Sequence, residues 1–82
     1  MSAYWRYIKT YGVPPREQVV AIKLKDRRTN ERISVTGKFV MKGTNAYWSI
    51  YVLDEGFIPL LLELAERYEV LAWLPIGNRR AE

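Results

Sequence analysis

The chain has 82 residues, 49% hydrophobic and 27% charged, and it contains no cysteine and no histidine. That length and balance suit one globular domain with a modest core. The two missing residue types exclude disulfide staples, thiolate metal sites, Ser-His-Asp and Cys-His nucleophile systems, and imidazole bases.

The net charge of +4 is unevenly placed. Residues 1–45 hold ten Lys/Arg against three Asp/Glu, a net +7, whereas residues 46–82 hold three against six, a net −3. The first half therefore draws toward acidic partners. Residues 1–7 lack the basic and then apolar pattern of a secretory leader. The longest apolar run, residues 57–62, is far too short to span a bilayer. A cytoplasmic protein with no membrane association is expected, in the host cytoplasm if the source is viral.

In chain order, an aromatic segment comes first, covering residues 1–13 and set off by Pro14-Pro15. Tyr4, Trp5, Tyr7 and Tyr11 crowd it, a density in keeping with a partner-binding segment. It reads as a strand or extended arm with Trp5, Tyr7 and Tyr11 on one side, a single helical turn being the other reading. Residues 17–25 then alternate, with Val20, Ile22 and Leu24 on one side and Ala21, Lys23 and Lys25 on the other. After a polar turn at residues 26–31, alternation resumes from Ile33 to Lys42. The two runs form a hairpin.

A second hairpin is set by Lys42-Gly43-Thr44-Asn45. Glycine at the first central position of a two-residue loop suits a type II′ turn. This choice pairs Phe39 with Trp48, Gly37 with Ile50 and Val35 with Val52, keeping apolar side chains on one face. A register slipped by one residue would set them against the polar face. The Gly43 loop is a turn rather than a phosphate cradle, because no helix follows it.

After Asp54-Glu55-Gly56, a helix is predicted from Phe57 to Tyr68. Pro59 sits in its first turn, acids lie near its start, and Ile58, Leu61, Leu62, Ala65 and Tyr68 form a buried stripe. Residues 70–74 read as a last strand ending at Pro75, and residues 76–82 as a flexible tail. The expected fold is α+β: one domain over residues 1–82, built as an antiparallel β-meander with one α-helix packed on one face and a final C-terminal strand. The expected core is Val20, Ile22, Leu24, Ile33, Val35, Phe39, Trp48, Ile50, Val52, Ile58, Leu61, Leu62 and Ala65, with one side of residues 70–74.

On the opposite face this register collects Lys23, Lys25, Arg32, Lys38, Lys42, Tyr47 and Tyr51 among small polar residues, with no carboxylate. Arg27 and Arg28 extend it from the first turn. Cations that meet phosphates and rings that stack on bases would make a single-strand platform. The same composition also makes an ordinary solvated or protein-contacting face.

The stretch Val70-Leu71-Ala72-Trp73-Leu74-Pro75 resembles the C-terminal signature of a family of small uncharacterised phage and prophage proteins, in which an apolar strand runs into an Ala-Trp-x-Pro ending. The run Pro14-Pro15-Arg16-Glu17-Gln18-Val19-Val20 and the stretch Tyr47-Trp48-Ser49 are similar to that family's proline-led strand and tryptophan strand. The predicted full helix and the aromatic N-terminal extension depart from it. The resemblance implies an origin in a mobile element and binding, rather than catalysis, directed at a host protein. It carries over no functional residues.

The expectation is therefore a noncatalytic macromolecule-binding protein that binds or inhibits a host protein and uses no cofactor and no metal. Its contact residues would be Tyr4, Trp5, Tyr7, Tyr11, Lys23, Lys25, Arg27, Arg28, Lys38, Tyr47 and Tyr51. The alternative is a small basic domain that binds single-stranded nucleic acid. A homodimer is compatible with both.

Overall fold

The computed structural model describes residues 4–76, so all of the tail beyond Ile76 lies outside the described residues. The chain forms β1 (Arg6–Tyr7), α1 (Ile8–Tyr11), β2 (Val20–Asp26), β3 (Arg32–Lys42), β4 (Asn45–Val52), β5 (Gly56–Pro59), α2 (Glu63–Arg67) and β6 (Tyr68–Pro75). All six strands join one antiparallel sheet in the order β1-β6-β2-β3-β4-β5. The fold is mostly antiparallel sheet with two short helices. No described helix is long and apolar enough to cross a membrane.

The second hairpin has the register that its turn demands. Phe39 faces Trp48 and Gly37 faces Ile50, closed by the Lys42–Asn45 pair. The expected Val35–Val52 pair does not form, because β3 changes neighbours at Gly37: Val35 faces Ile22 while Val52 faces Gly56. Gly43 has φ +63° while Thr44 keeps a negative φ, the combination of a II′ turn rather than a I′ turn. The first hairpin adds side-chain bonds to the backbone bonds between Asp26 and Glu31 and between Asn30 and Asp26 that close it. Asp26 Oδ1 accepts from the Arg28 amide at 2.9 Å, Thr29 Oγ1 accepts from the Glu31 amide at 3.2 Å, and Asn30 takes φ +65°.

The predicted helix over residues 57–68 is replaced by two elements. Residues 56–59 pair with β4 as an edge strand, placing Ile58 opposite Ile50 and Phe57 opposite Tyr51. A short apolar run fits both a helical stripe and an alternating strand, and periodicity alone does not separate them. Tertiary pairing decides it. Gly56, at φ +80°, completes the return from β4, and Pro59 closes an edge strand, where its missing N–H is tolerated. Leu62, at φ +55°, then breaks any helix continuing from residue 57, and α2 keeps only five residues.

The core follows from this change. Among the described residues, Val20, Ile22, Leu24, Ile50, Leu60, Ala72 and Trp73 are the buried apolar side chains. All but Ala72 form one cluster, with Ile8, Val35, Trp48, Ile58, Leu64, Tyr68 and Val70 packed around it. Leu61 and Leu62, expected inside, are exposed, Leu62 at 84%. Ile33 is also exposed, and Leu60 takes the inward position that Leu61 and Leu62 were expected to share. The N-terminal segment combines both of its sequence readings, a two-residue strand on β6 followed by one helical turn. Beyond it, Pro14 is buried and the Gly12 carbonyl accepts from Trp73 Nε1 at 2.8 Å, which ties this segment to the core side.

The sheet is not flat: Leu60, just past the β5 edge, and Trp73, in β6 beside the other edge, pack in one cluster. β3 carries the bend. Residues 32–37 pair with β2, residues 37–42 pair with β4, and Gly37 alone faces partners on both sides. A Cβ at Gly37 would collide with Ile22 Cδ1 and lie 2.5 Å from the Ser49 carbonyl oxygen. Gly37→Ala is therefore expected to cost about 1–3 kcal/mol through overpacking, read as a thermal midpoint lowered by roughly 4–8 °C per kcal/mol. An unchanged melting curve would remove Gly37 from this role.

Candidate functional site

Across the sheet, residues directly opposite each other share a face, so the register settles which side chains stand away from the core. Lys23 and Lys25 in β2 face Ser34 and Arg32 in β3, and on the other side they face Ala72 and Glu69 in β6. Lys38 faces Ser49, Val40 faces Tyr47, Tyr51 faces Phe57 and Tyr7 faces Ala72. All of these lie on one outer face, Lys38 and Tyr51 included.

Two clusters of rings and cations stand on this face, near its opposite edges. Toward β5, the Tyr51 and Phe57 rings meet edge to face with centroids 5.4 Å apart. Lys38 Nζ lies 4.7 Å from the Phe57 centroid and 3.1 Å from Glu17 Oε1. Toward β1, Lys23 Nζ lies 4.8 Å from the Trp5 centroid and 5.7 Å from that of Tyr7. Such cation–π contacts hold ring and stem in place with energies of about 0.5–1 kcal/mol at exposed sites. Between the clusters, the floor is built of small side chains, Ser49, Thr36, Ala21 and Ala72. Ser49 and Ala72 are buried.

The sequence-predicted contact residues therefore separate into groups. Trp5, Tyr7 and Lys23 come together, as do Lys38 and Tyr51. Lys25 stands between Arg32 and Glu69, and Tyr47 is half-buried beside Val40. Tyr4 and Tyr11 are exposed, at 77% and 64%, and Tyr11 sits on α1 rather than on the strand side expected for it. The face is also less uniformly basic than its three central strands suggest, because β6 adds Glu69 and the loop before β2 brings in Glu17.

Arg27 and Arg28 sit at the tip of the first hairpin. The Arg27 guanidinium donates to the Ala65 and Glu66 carbonyls at 3.2 and 3.3 Å, and its amide donates to the Arg67 carbonyl at 2.8 Å. It closes the C-terminal end of α2, where backbone acceptors lack helical partners. Sequence reading missed Phe57 because it lay inside the predicted helix. The signal that would have found it is the alternation of Phe57 and Pro59 against Ile58 and Leu60, following a glycine turn.

The hairpin tip also holds an ion pair whose carboxylate is buried and whose guanidinium is partly exposed. Asp26 Oδ2 receives Arg67 Nη2 and Nε at 3.1 and 3.2 Å, and its other oxygen receives the Arg28 amide. That amide, together with the Arg67 guanidinium and opposed by burial, holds the Asp26 carboxyl below the usual carboxylate range, and the same pair raises Arg67. No group of three or more His, Cys, Asp or Glu able to hold a metal occurs among the described residues. No protein-family model, curated protein or solved structure matches the chain.

A carboxyl whose folded pKa is depressed stabilises the fold above its unfolded pKa, about 3.9 for Asp. That stabilisation is lost as pH falls through the folded value. Denaturant titrations are expected to show the native chain losing stability below about pH 4 more steeply than Asp26→Asn, which should be the less stable protein at pH 7. Parallel curves for the two proteins would rule out the linkage.

Proposed function

We propose that the chain is a noncatalytic protein-binding domain that seats an acidic surface of its partner on the outer sheet face. The supporting observation is the pair of ring-and-cation clusters on that face, Trp5–Tyr7–Lys23 and Tyr51–Phe57–Lys38, separated by a floor of small residues. Tyr7, Tyr51 and Phe57 are each 39–46% exposed and held by a neighbouring ring or lysine. Partly exposed aromatics held in one conformation lose little entropy on binding and commonly supply the strongest contacts of an interface.

A protein is placed ahead of a single nucleic-acid strand because the lysines lie over the rings a base would need. Base stacking requires an open aromatic face, and here Lys23 covers Trp5 and Tyr7 while Lys38 covers Phe57. The noncatalytic reading is supported by the absence of histidine and cysteine. It is supported too by the two titratable groups with shifted pKa values among the described residues, Asp26 and Arg67, which are engaged with each other. The phage or prophage origin, the host protein as target and the host cytoplasm as location belong to the same proposal; the first two rest on the resemblance at residues 14–20, 47–49 and 70–75.

Affinity capture from host lysate, compared between the native chain and Phe57→Ala or Trp5→Ala, tests this reading. A partner held in high salt by the native chain, and at least roughly tenfold less by either variant, is the expected result. Retention of single-stranded oligonucleotides with a steep log-linear salt dependence, abolished by Lys23→Glu, Lys25→Glu and Lys38→Glu together, would replace it with the nucleic-acid alternative.

A further inference from the structure

Several cations already have partners within the fold. Arg6 lies over Trp73, Lys23 over Trp5 and Tyr7, Lys38 meets Glu17 and Phe57, Arg67 holds Asp26, and Arg27 closes α2. Lys9, Lys25 and Arg32 make no ion pair and no cation–π contact among the described residues. All three line one cleft of about 430 Å³ between α1 and the outer face of β6, β2 and β3. Glu69 lines the same cleft and faces Lys25 in register without closing an ion pair. Tyr7, Ile8, Val70 and Leu71 complete its walls.

The cleft has a structural cause. The β2–β6 register shifts between Lys23 and Leu24, leaving Leu71 as the extra residue of a bulge. A bulge bends its strand and re-aims side chains, and here it falls where β6 passes under α1. Three cations against one carboxylate leave the cleft with a net +2. A nucleic-acid backbone phosphate carries a single charge and would balance half of that. A phosphate monoester carries about −1.5 to −2 at neutral pH and offers three strong acceptors, which two ammonium groups and one guanidinium suit.

We propose that this cleft binds a phosphate monoester, carried on a phosphorylated side chain of the protein partner. The walls from Tyr7, Ile8 and Leu71 receive the stem of that side chain, while Lys9, Lys25 and Arg32 receive the phosphate. Glu69 keeps the site from holding the anion too tightly and sets the charge it accepts. Naming a protein as the carrier rests on the interaction reading above, whereas the preference for a dianion rests on the cleft alone.

The test is an amide NMR titration of the full ¹⁵N-labelled chain at constant ionic strength. The probes are inorganic phosphate, peptides bearing phosphoserine or phosphotyrosine, their unphosphorylated forms, and a 5′-phosphorylated oligonucleotide. Saturable shifts are expected at Lys9, Lys25, Arg32 and Leu71 with phosphate and, more tightly, with a phosphopeptide, and none with the unphosphorylated peptides. Lys25→Ala and Arg32→Ala should each weaken binding roughly tenfold, and Glu69→Gln should tighten it severalfold.

Lys42→Ala, at the end of β3 and outside both ring clusters and the cleft, should leave phosphate binding unchanged, so a general loss of positive charge and loss of this site read out separately. Shifts spread evenly over all basic residues, or a Glu69→Gln variant that binds no better, would overturn the site. Tighter binding of the oligonucleotide than of either phosphopeptide, or binding of inorganic phosphate alone, would overturn its assignment to a phosphorylated side chain.

Discussion

Gly37 faces Val20 on one side and Ile50 on the other, and no other residue of β3 is paired in both directions. Its missing side chain leaves room for Ile22 Cδ1 and for the Ser49 backbone at the same point. This allows an eleven-residue strand to change neighbours halfway along its length. The sheet can then wrap its apolar side inward, so that Leu60, just past one edge strand, and Trp73, next to the other, join one cluster. A larger residue at this point would open the bend, separating the two halves of the core.

Wrapping has a consequence for the outer face. Side chains on the outside of a bent sheet splay apart, so they must find lateral partners or stand in water. The lysines of this face do the former where rings are within reach, Lys23 at Trp5 and Tyr7 and Lys38 at Phe57. Away from the rings, Lys25 and Arg32 have no such partners among the described residues. The edges are kept short, two residues in β1 and four in β5, and β5 ends in a proline. Short and proline-ended edges discourage unwanted strand addition.

Much of the central sheet was legible in the chain because its signals are local. Strict alternation in residues 20–25 and 33–42 and the Gly43 turn specify register through pairwise neighbours, and the observed Gly37–Ile50 and Phe39–Trp48 pairs follow from them. The outer positions of Lys23, Lys38, Tyr47 and Tyr51 came with that register. Phe57 and Glu69 did not. Phe57 was assigned to a helix because residues 57–62 satisfy both periods, and Glu69 reaches the face only because β6 returns beside β2. Arg27 shows the same limit from the other direction. Its place in a basic turn suggested an outward contact, but α2 folds back to present its terminal carbonyls.

By itself, then, the sequence determined what nearest neighbours along the chain determine: three antiparallel strands, their turn, their two faces, and a chemistry without histidine or cysteine. Only the tertiary structure decided that β6 lies between β1 and β2, that residues 56–59 extend the sheet, and that Lys9, Lys25 and Arg32 meet at one cleft. These outcomes depend on contacts between residues far apart in the chain. Such contacts form only once a bent sheet brings them together, and the choice among them is made by burial and pairing, which leave no local pattern to read.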